Sequence, residues 1–134
     1  MEYLKYKLGQ LSEPEERAYE QNALKKQAES QCNTCEEYKD YLLRYSPSVR
    51  FMQEQIQRVG GNINSTNIVC GQCTDMKSGG FHPELGILMC ANKLYSRSHA
   101  EDTLTHELVH AYDHCRFDVD WKDLRHHACS EIRA

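Results

Sequence analysis

Residues 103–115 read TLTHELVHAYDHC, and the meaning of the two histidines in this run decides how the rest of the chain is read. The run follows Ser98-x-x-Glu101, which has the form of a capping box, and it carries Leu104, Leu108, Val109 and Ala111 at helical spacing. Helical residues four apart share a face, so His106 and His110 present two imidazoles to one point. Neutral imidazole suits Zn2+. Glu107 lies beside them, directed at the open coordination position of a catalytic site rather than at the metal. Zn2+ at such a site lowers the pKa of a bound water to near neutrality. Glu107 then takes the water proton as general base and returns it to the leaving amine. The bland alternative is an amphipathic helix with two incidental histidines. The helix cap and the apolar residues Leu108 and Val109 favour a helix seated beneath a metal site.

Two histidines do not complete a catalytic zinc site, which takes three protein ligands. A continuation of the form H-x-x-G-x-x-H fails, because Asp113 and Arg116 occupy its last two fixed positions. The remaining candidates are Asp113, His114, Asp120, His126, His127 and Glu131. Asp113 shares a face with His106 and reads as a partner holding an imidazole N–H, with direct ligation as its alternative role. Glu131 sits downstream on a helix of its own, the arrangement of glutamate-zincins, and is the expected third ligand. His127, one turn earlier on that helix, is the alternative. His126 reads as an exposed residue near a helix start.

Around this site, 134 residues with 40% hydrophobic and 27% charged content describe one soluble domain with a modest core. A net charge of −4 gives no basic footprint and argues against nucleic acid as a partner. The longest apolar run, Leu85 to Ala91, is strand-sized and far short of a membrane span. MEYLKYKLGQLSEPEER at the N-terminus has neither the apolar core of a signal peptide nor the acid-poor, Arg-rich character of a transit peptide.

Ser12-Glu13-Pro14-Glu15 opens a helix running to about Ser30 with a thin apolar face. A second, short helix is expected from Cys35 to Tyr45. A third starts at Ser46-Pro47, carries Val49, Met52, Ile56 and Val59 as a buried stripe, and ends at Gly60-Gly61. Ile63, Ile68 and Val69 fit one strand and Gly86–Cys90 a second, with a turn at Gly79-Gly80 between them. A last helix is expected from Lys122 to Ala134. The order predicts an α+β domain: a single unit over 1–134, with 1–45 as a helical N-terminal extension and 46–134 as the core. If Gly86–Cys90 is an edge strand above the cleft, it pairs with an extended substrate backbone.

The seven cysteines are Cys32, Cys35, Cys70, Cys73, Cys90, Cys115 and Cys129. That density implies metal binding or an oxidising compartment. Cys32-x-x-Cys35 and Cys70-x-x-Cys73 resemble paired zinc-ribbon knuckles, but their separation exceeds the usual ribbon interval and the first pair falls between predicted helices. Structural disulfides or thiols are favoured over redox catalysis, with a second, structural zinc on Cys70, Cys73 and two others left open. The chain stops within a helical pattern at Ser130–Ala134, which predicts a further C-terminal segment bearing an eighth cysteine.

From Cys70 to Ala134 the chain resembles the mitochondrial inner-membrane metalloprotease family that processes and helps assemble the ATP synthase. The matching residues are Cys70-x-x-Cys73, Ser78-Gly79-Gly80-Phe81, Cys90-x-Asn92, Thr105-His106-Glu107-Leu108-Val109-His110-Ala111-Tyr112-Asp113, Asp120-Trp121 and Ala128-Cys129-Ser130-Glu131-Ile132-Arg133-Ala134. The resemblance implies a small zincin-like zinc endopeptidase in the intermembrane space, peripheral to the inner membrane. Its protein substrate is then the precursor of the membrane-embedded proton-channel subunit of the synthase, and it has an assembly role independent of cleavage. It also implies oxidative folding on import, hence disulfides rather than a zinc ribbon, and a polar continuation past Ala134. Two rival readings are a non-catalytic assembly chaperone with structural zinc and disulfides, and a cysteine-based redox or zinc-ribbon binding module.

Overall fold

The long helix that opens the fold shows what anchors the N-terminal half. The computed structural model describes residues 2–117 and 122–134, and after α1 (Glu2–Lys7) it gives one unbroken helix, α2 (Glu13–Tyr45). The predicted break near Ser30–Cys35 is absent. Asn33 and Thr34 are weak helix formers, but no Gly or Pro interrupts the ladder. Cys35, Lys39 and Leu42 on one face are buried in the body, so tertiary packing overrides the local signal. Ser12 is the N-cap by position, yet its side chain makes no cap hydrogen bond. Lys39 is 5% exposed and donates to the carbonyls of Ser65 and Ile68, at 3.3 and 2.9 Å, which ties α2 to the start of the sheet.

The third helix, α3 (Pro47–Arg58), is capped by Ser46, whose hydroxyl accepts from Val49 N. Val49 and Ile56 are fully buried and Met52 packs beside them, as its periodicity predicts. The helix ends at Arg58 with Val59 as its C-cap, and Gly60 follows at φ +92°.

The sheet has three strands, β1 (Ile68–Gly71), β2 (Gly79–His82) and β3 (Gly86–Cys90), in the order β1-β3-β2. β1 runs parallel to β3 with Ile68 opposite Ile87, and β2 runs antiparallel to β3 with Gly80 opposite Leu88. Three expectations change here. Gly79-Gly80 is part of a strand, not the turn. Ile63 lies outside the strand, in a loop where its carbonyl accepts from Gln53. Gly86–Cys90 is the central strand with both edges paired, so it cannot receive a substrate backbone; the free edge next to it belongs to β2. Gly86 has φ +103°, and a Cβ there would stand 2.2 Å from the Asn67 carbonyl oxygen, so this crossing admits only glycine.

After a 3-10 turn (Ala91–Lys93) comes α4 (Arg97–Arg116). Its N-cap is Ser96, whose hydroxyl accepts from His99 N at 3.0 Å, rather than the predicted Ser98. Leu104 and Leu108 are fully buried against α3 and the sheet, with Ala100 and Ala111 completing that face. The last helix, α5 (Leu124–Arg133), begins two residues later than expected because Asp123 caps it through Arg125 N. Asp120 and Trp121, part of the resemblance, lie outside the described residues. The architecture is α+β, five helices around a small sheet among the described residues.

Both CxxC pairs are split. Disulfides join Cys35 to Cys70 and Cys73 to Cys90, while Cys32, Cys115 and Cys129 are free. A structural zinc on Cys70 and Cys73 is therefore excluded, since both thiolates are consumed. The first bridge pins α2 to β1. The second, with the paired hydrogen bonds between Asn92 and the Cys73 backbone (2.9 and 2.8 Å), pins the segment before β2 to the end of β3.

Candidate metal centre

The cleft-facing side of α4 is built by its own periodicity. With Leu104, Leu108 and Ala111 turned to the core, Thr103, His106, Glu107 and His110 fall on the adjoining face, toward the cleft. Across from them runs β2, brought close because Gly79 has no side chain: a Cβ there would lie 2.8 Å from Thr103 Cγ2 and 3.5 Å from Glu107 Cγ. Ser78 and Thr103 share a hydrogen bond at 2.9 Å at this junction. The cleft between β2, α4 and α5 has a volume of about 720 Å3.

α5 brings Glu131 to the two histidines. His106 Nε2 and His110 Nε2 are 3.2 Å apart; Glu131 stands 3.1 Å from His110 Nε2 through Oε1 and 3.4 Å from His106 Nε2 through Oε2. One donor atom from each lies within 4.8 Å of the others. Two imidazole nitrogens and a carboxylate oxygen are the donor types that Zn2+ takes in catalytic sites, and His106 and Glu131 are part-exposed, leaving one side open. The donor set therefore fits zinc. His127 lies on the rim, 3.4 Å from Glu131 Oε1, rather than in the triad.

Glu107 is 7% exposed on the same wall. Burial, and secondarily the Glu131 carboxylate, push its pKa up to about 7, while the Lys77 ammonium pulls the other way. Burial lowers the pKa of His110, which favours the neutral imidazole a metal requires.

His110 is oriented from behind. Its Nδ1 lies 2.6 Å from Ser130 Oγ, which in turn donates to Asp113 Oδ2 at 2.9 Å. The hydroxyl has one proton, and it is spent on Asp113. Nδ1–H must therefore donate to Ser130, leaving the Nε2 lone pair facing Glu131 and His106. Asp113 thus reaches the imidazole through a hydroxyl, a correction to the expected direct contact. Its direct ligation is also corrected, since Asp113 is 2% exposed behind His110 with Arg133 2.9 Å from Oδ1. In the sequence Ser130 appears only within the matching run Ala128–Ala134, with no role of its own. The one available signal is its place beside Glu131.

The sequence pattern of the peptidase M76 family matches residues 33–134. Among curated relatives, the chain is 54% identical over 129 residues to a protein of Yarrowia lipolytica named mitochondrial inner membrane protease ATP23, covering 96% of this chain and 52% of the relative. Proteins of the same name from Meyerozyma guilliermondii and Neosartorya fischeri are 52% and 58% identical, over 98% and 77% of this chain and 54% and 44% of theirs. The chain spans about half the length of the curated relatives it matches. No solved structure gives a significant match. No described helix is long and apolar enough to cross a membrane.

Proposed function

The chain belongs to the peptidase M76 family, and from that membership we propose that it is a zincin-like zinc endopeptidase, with His106, His110 and Glu131 as metal ligands and Glu107 as general base. The observation that carries this reading is the convergence of three donor atoms within 4.8 Å, beside a buried carboxyl group, in a solvent-open cleft.

When bound, Zn2+ supplies Lewis-acid polarisation of the scissile carbonyl and a water acidic near neutrality. The chain's own residues do the rest. Glu107, buried on the cleft wall beside the three donors, takes a proton from the attacking water and returns it to the leaving amine nitrogen. His110, held through Nδ1 by Ser130, keeps its Nε2 pair available. The free edge of β2 runs along the cleft wall and offers backbone groups to an extended peptide, the role first expected of β3.

The names of the relatives extend the reading to the mitochondrial inner membrane. The sequence resemblance extends it further, to a peripheral enzyme of the intermembrane space. Its substrate is the precursor of the ATP synthase proton-channel subunit, and it acts separately in synthase assembly. The test is Glu107→Gln, which keeps the fold and the zinc while cleavage of that precursor falls by about 10²–10⁴-fold. Cleavage at the wild-type rate sinks the peptidase reading. Chelation of the metal abolishes cleavage reversibly, and added Zn2+ restores it.

A further inference from the structure

Among the described residues, the helix that delivers Glu131 docks without a buried apolar stripe. Helices ordinarily dock by burying an apolar stripe. On α5 no apolar side chain is buried: Leu124 is 82% and Ile132 84% exposed, and Ser130 is the one buried residue. The described contacts with α4 and its cap are made by polar and charged side chains. Glu131 faces His106 and His110, and the Arg133 guanidinium lies 4.8 Å from the centre of the Phe117 ring. Both Ser130 and Arg133 meet Asp113. Its Oδ2 accepts from Ser130, and its Oδ1 faces the Arg133 guanidinium. Ser130 and Arg133 lie three apart and so share a face of α5.

We propose that Asp113, Ser130 and Arg133 form a polar latch that seats α5 and orients His110, making helix docking and metal binding a single coupled equilibrium. This rests on the metal-site reading above. Two donors come from α4 and one from α5, so an ion held by all three bonds fully only to the docked form. It must therefore stabilise docking. By reciprocity, docking raises metal affinity by the same factor that the metal strengthens docking, so a latch weakened enough to undock α5 lowers metal affinity. Asp113 acts through Ser130 and is a positioning residue: it fixes the Nδ1–H tautomer and the ring angle of His110.

The experiment is a titration of the full chain with Zn2+ alone against a competing chelator, combined with amide hydrogen exchange across 124–133. In the wild type, zinc slows exchange of α5 by about tenfold or more and leaves α3 unchanged. Ser130→Ala and Asp113→Asn weaken zinc binding by about 10–100-fold and shift the absorption bands of the Co2+-substituted site. Ser130→Thr, which keeps the hydroxyl, restores most of the affinity. Wild-type affinity and wild-type α5 exchange in both damaging variants overturn the latch. If Asp113→Asn fails to fold, Arg133→Ala, which trims a half-exposed side chain, decides, with Phe117→Leu as the control for the ring contact of the same guanidinium. Faster α5 exchange in zinc-free Arg133→Ala than in Phe117→Leu supports the latch, and equal or unchanged exchange overturns it. A wild-type chain that binds no zinc overturns the metal-site reading itself, and the latch with it. Normal zinc binding with indistinguishable variants overturns the latch alone.

Discussion

Gly79 and its neighbour Gly80 look interchangeable in the sequence and are not. A Cβ at Gly79 meets Thr103 Cγ2 at 2.8 Å and the Leu88 carbonyl oxygen at 3.0 Å, whereas one at Gly80 meets only the flexible end of Lys77 at 3.7 Å. Gly79→Ala is expected to cost about 1–3 kcal/mol by overpacking and to push β2 away from Glu107. Gly80→Ala should stay within about 0.5 kcal/mol of wild type. Urea denaturation of the two variants checks the contrast, and equal midpoints would refute the close approach. The same scale shows what a sequence yields at single residues. His106, Glu107 and His110 are legible because their spacing is itself the geometry of a helix face. Ser130 is not, because its importance lies in meeting His110 and Asp113 across two helices.

The caps and strands are where local signals and tertiary context compete. Ser96 stands just ahead of α4 and Ser98 within its first turn, and only Ser96 makes a cap bond with its side chain. Ser96→Ala should therefore destabilise by about 0.5–2 kcal/mol, while Ser98→Ala, in the first turn, should be close to neutral. Thermal melts of the pair distinguish them. The buried stripe of α3 was readable because Val49 and Ile56 keep helical period through its length. The continuity of α2 was not, since Asn33-Thr34 locally disfavours what Cys35, Lys39 and Leu42 secure by burial. β2 was hidden for another reason: two glycines read as a turn unless one knows that a helix packs against them. The strand order β1-β3-β2 depends on pairing between distant segments, which no short window of sequence records, and so whether Gly86–Cys90 is an edge strand stays open until the fold shows that it is not.

At the scale of the whole molecule, two bridges secure the sheet. Cys35–Cys70 ties α2 to the sheet and Cys73–Cys90 closes the segment leading into β2. Thiol titration of the unreduced, denatured chain should find three free thiols, those of Cys32, Cys115 and Cys129, and seven after reduction. A higher first count would break this connectivity. Replacing Cys35 and Cys70 together by serine should lower stability by about 2–4 kcal/mol, read from denaturant midpoints under non-reducing conditions. The tie that these bridges reinforce also involves Lys39, whose ammonium is occupied by two carbonyls of the loop and first strand and is almost closed to solvent. An acylating reagent should therefore modify the exposed lysines at once and Lys39 only as fast as α2 lifts from β1. The modification time course of that one amine gives the chain an internal clock for its own opening, readable by mass spectrometry without any added label.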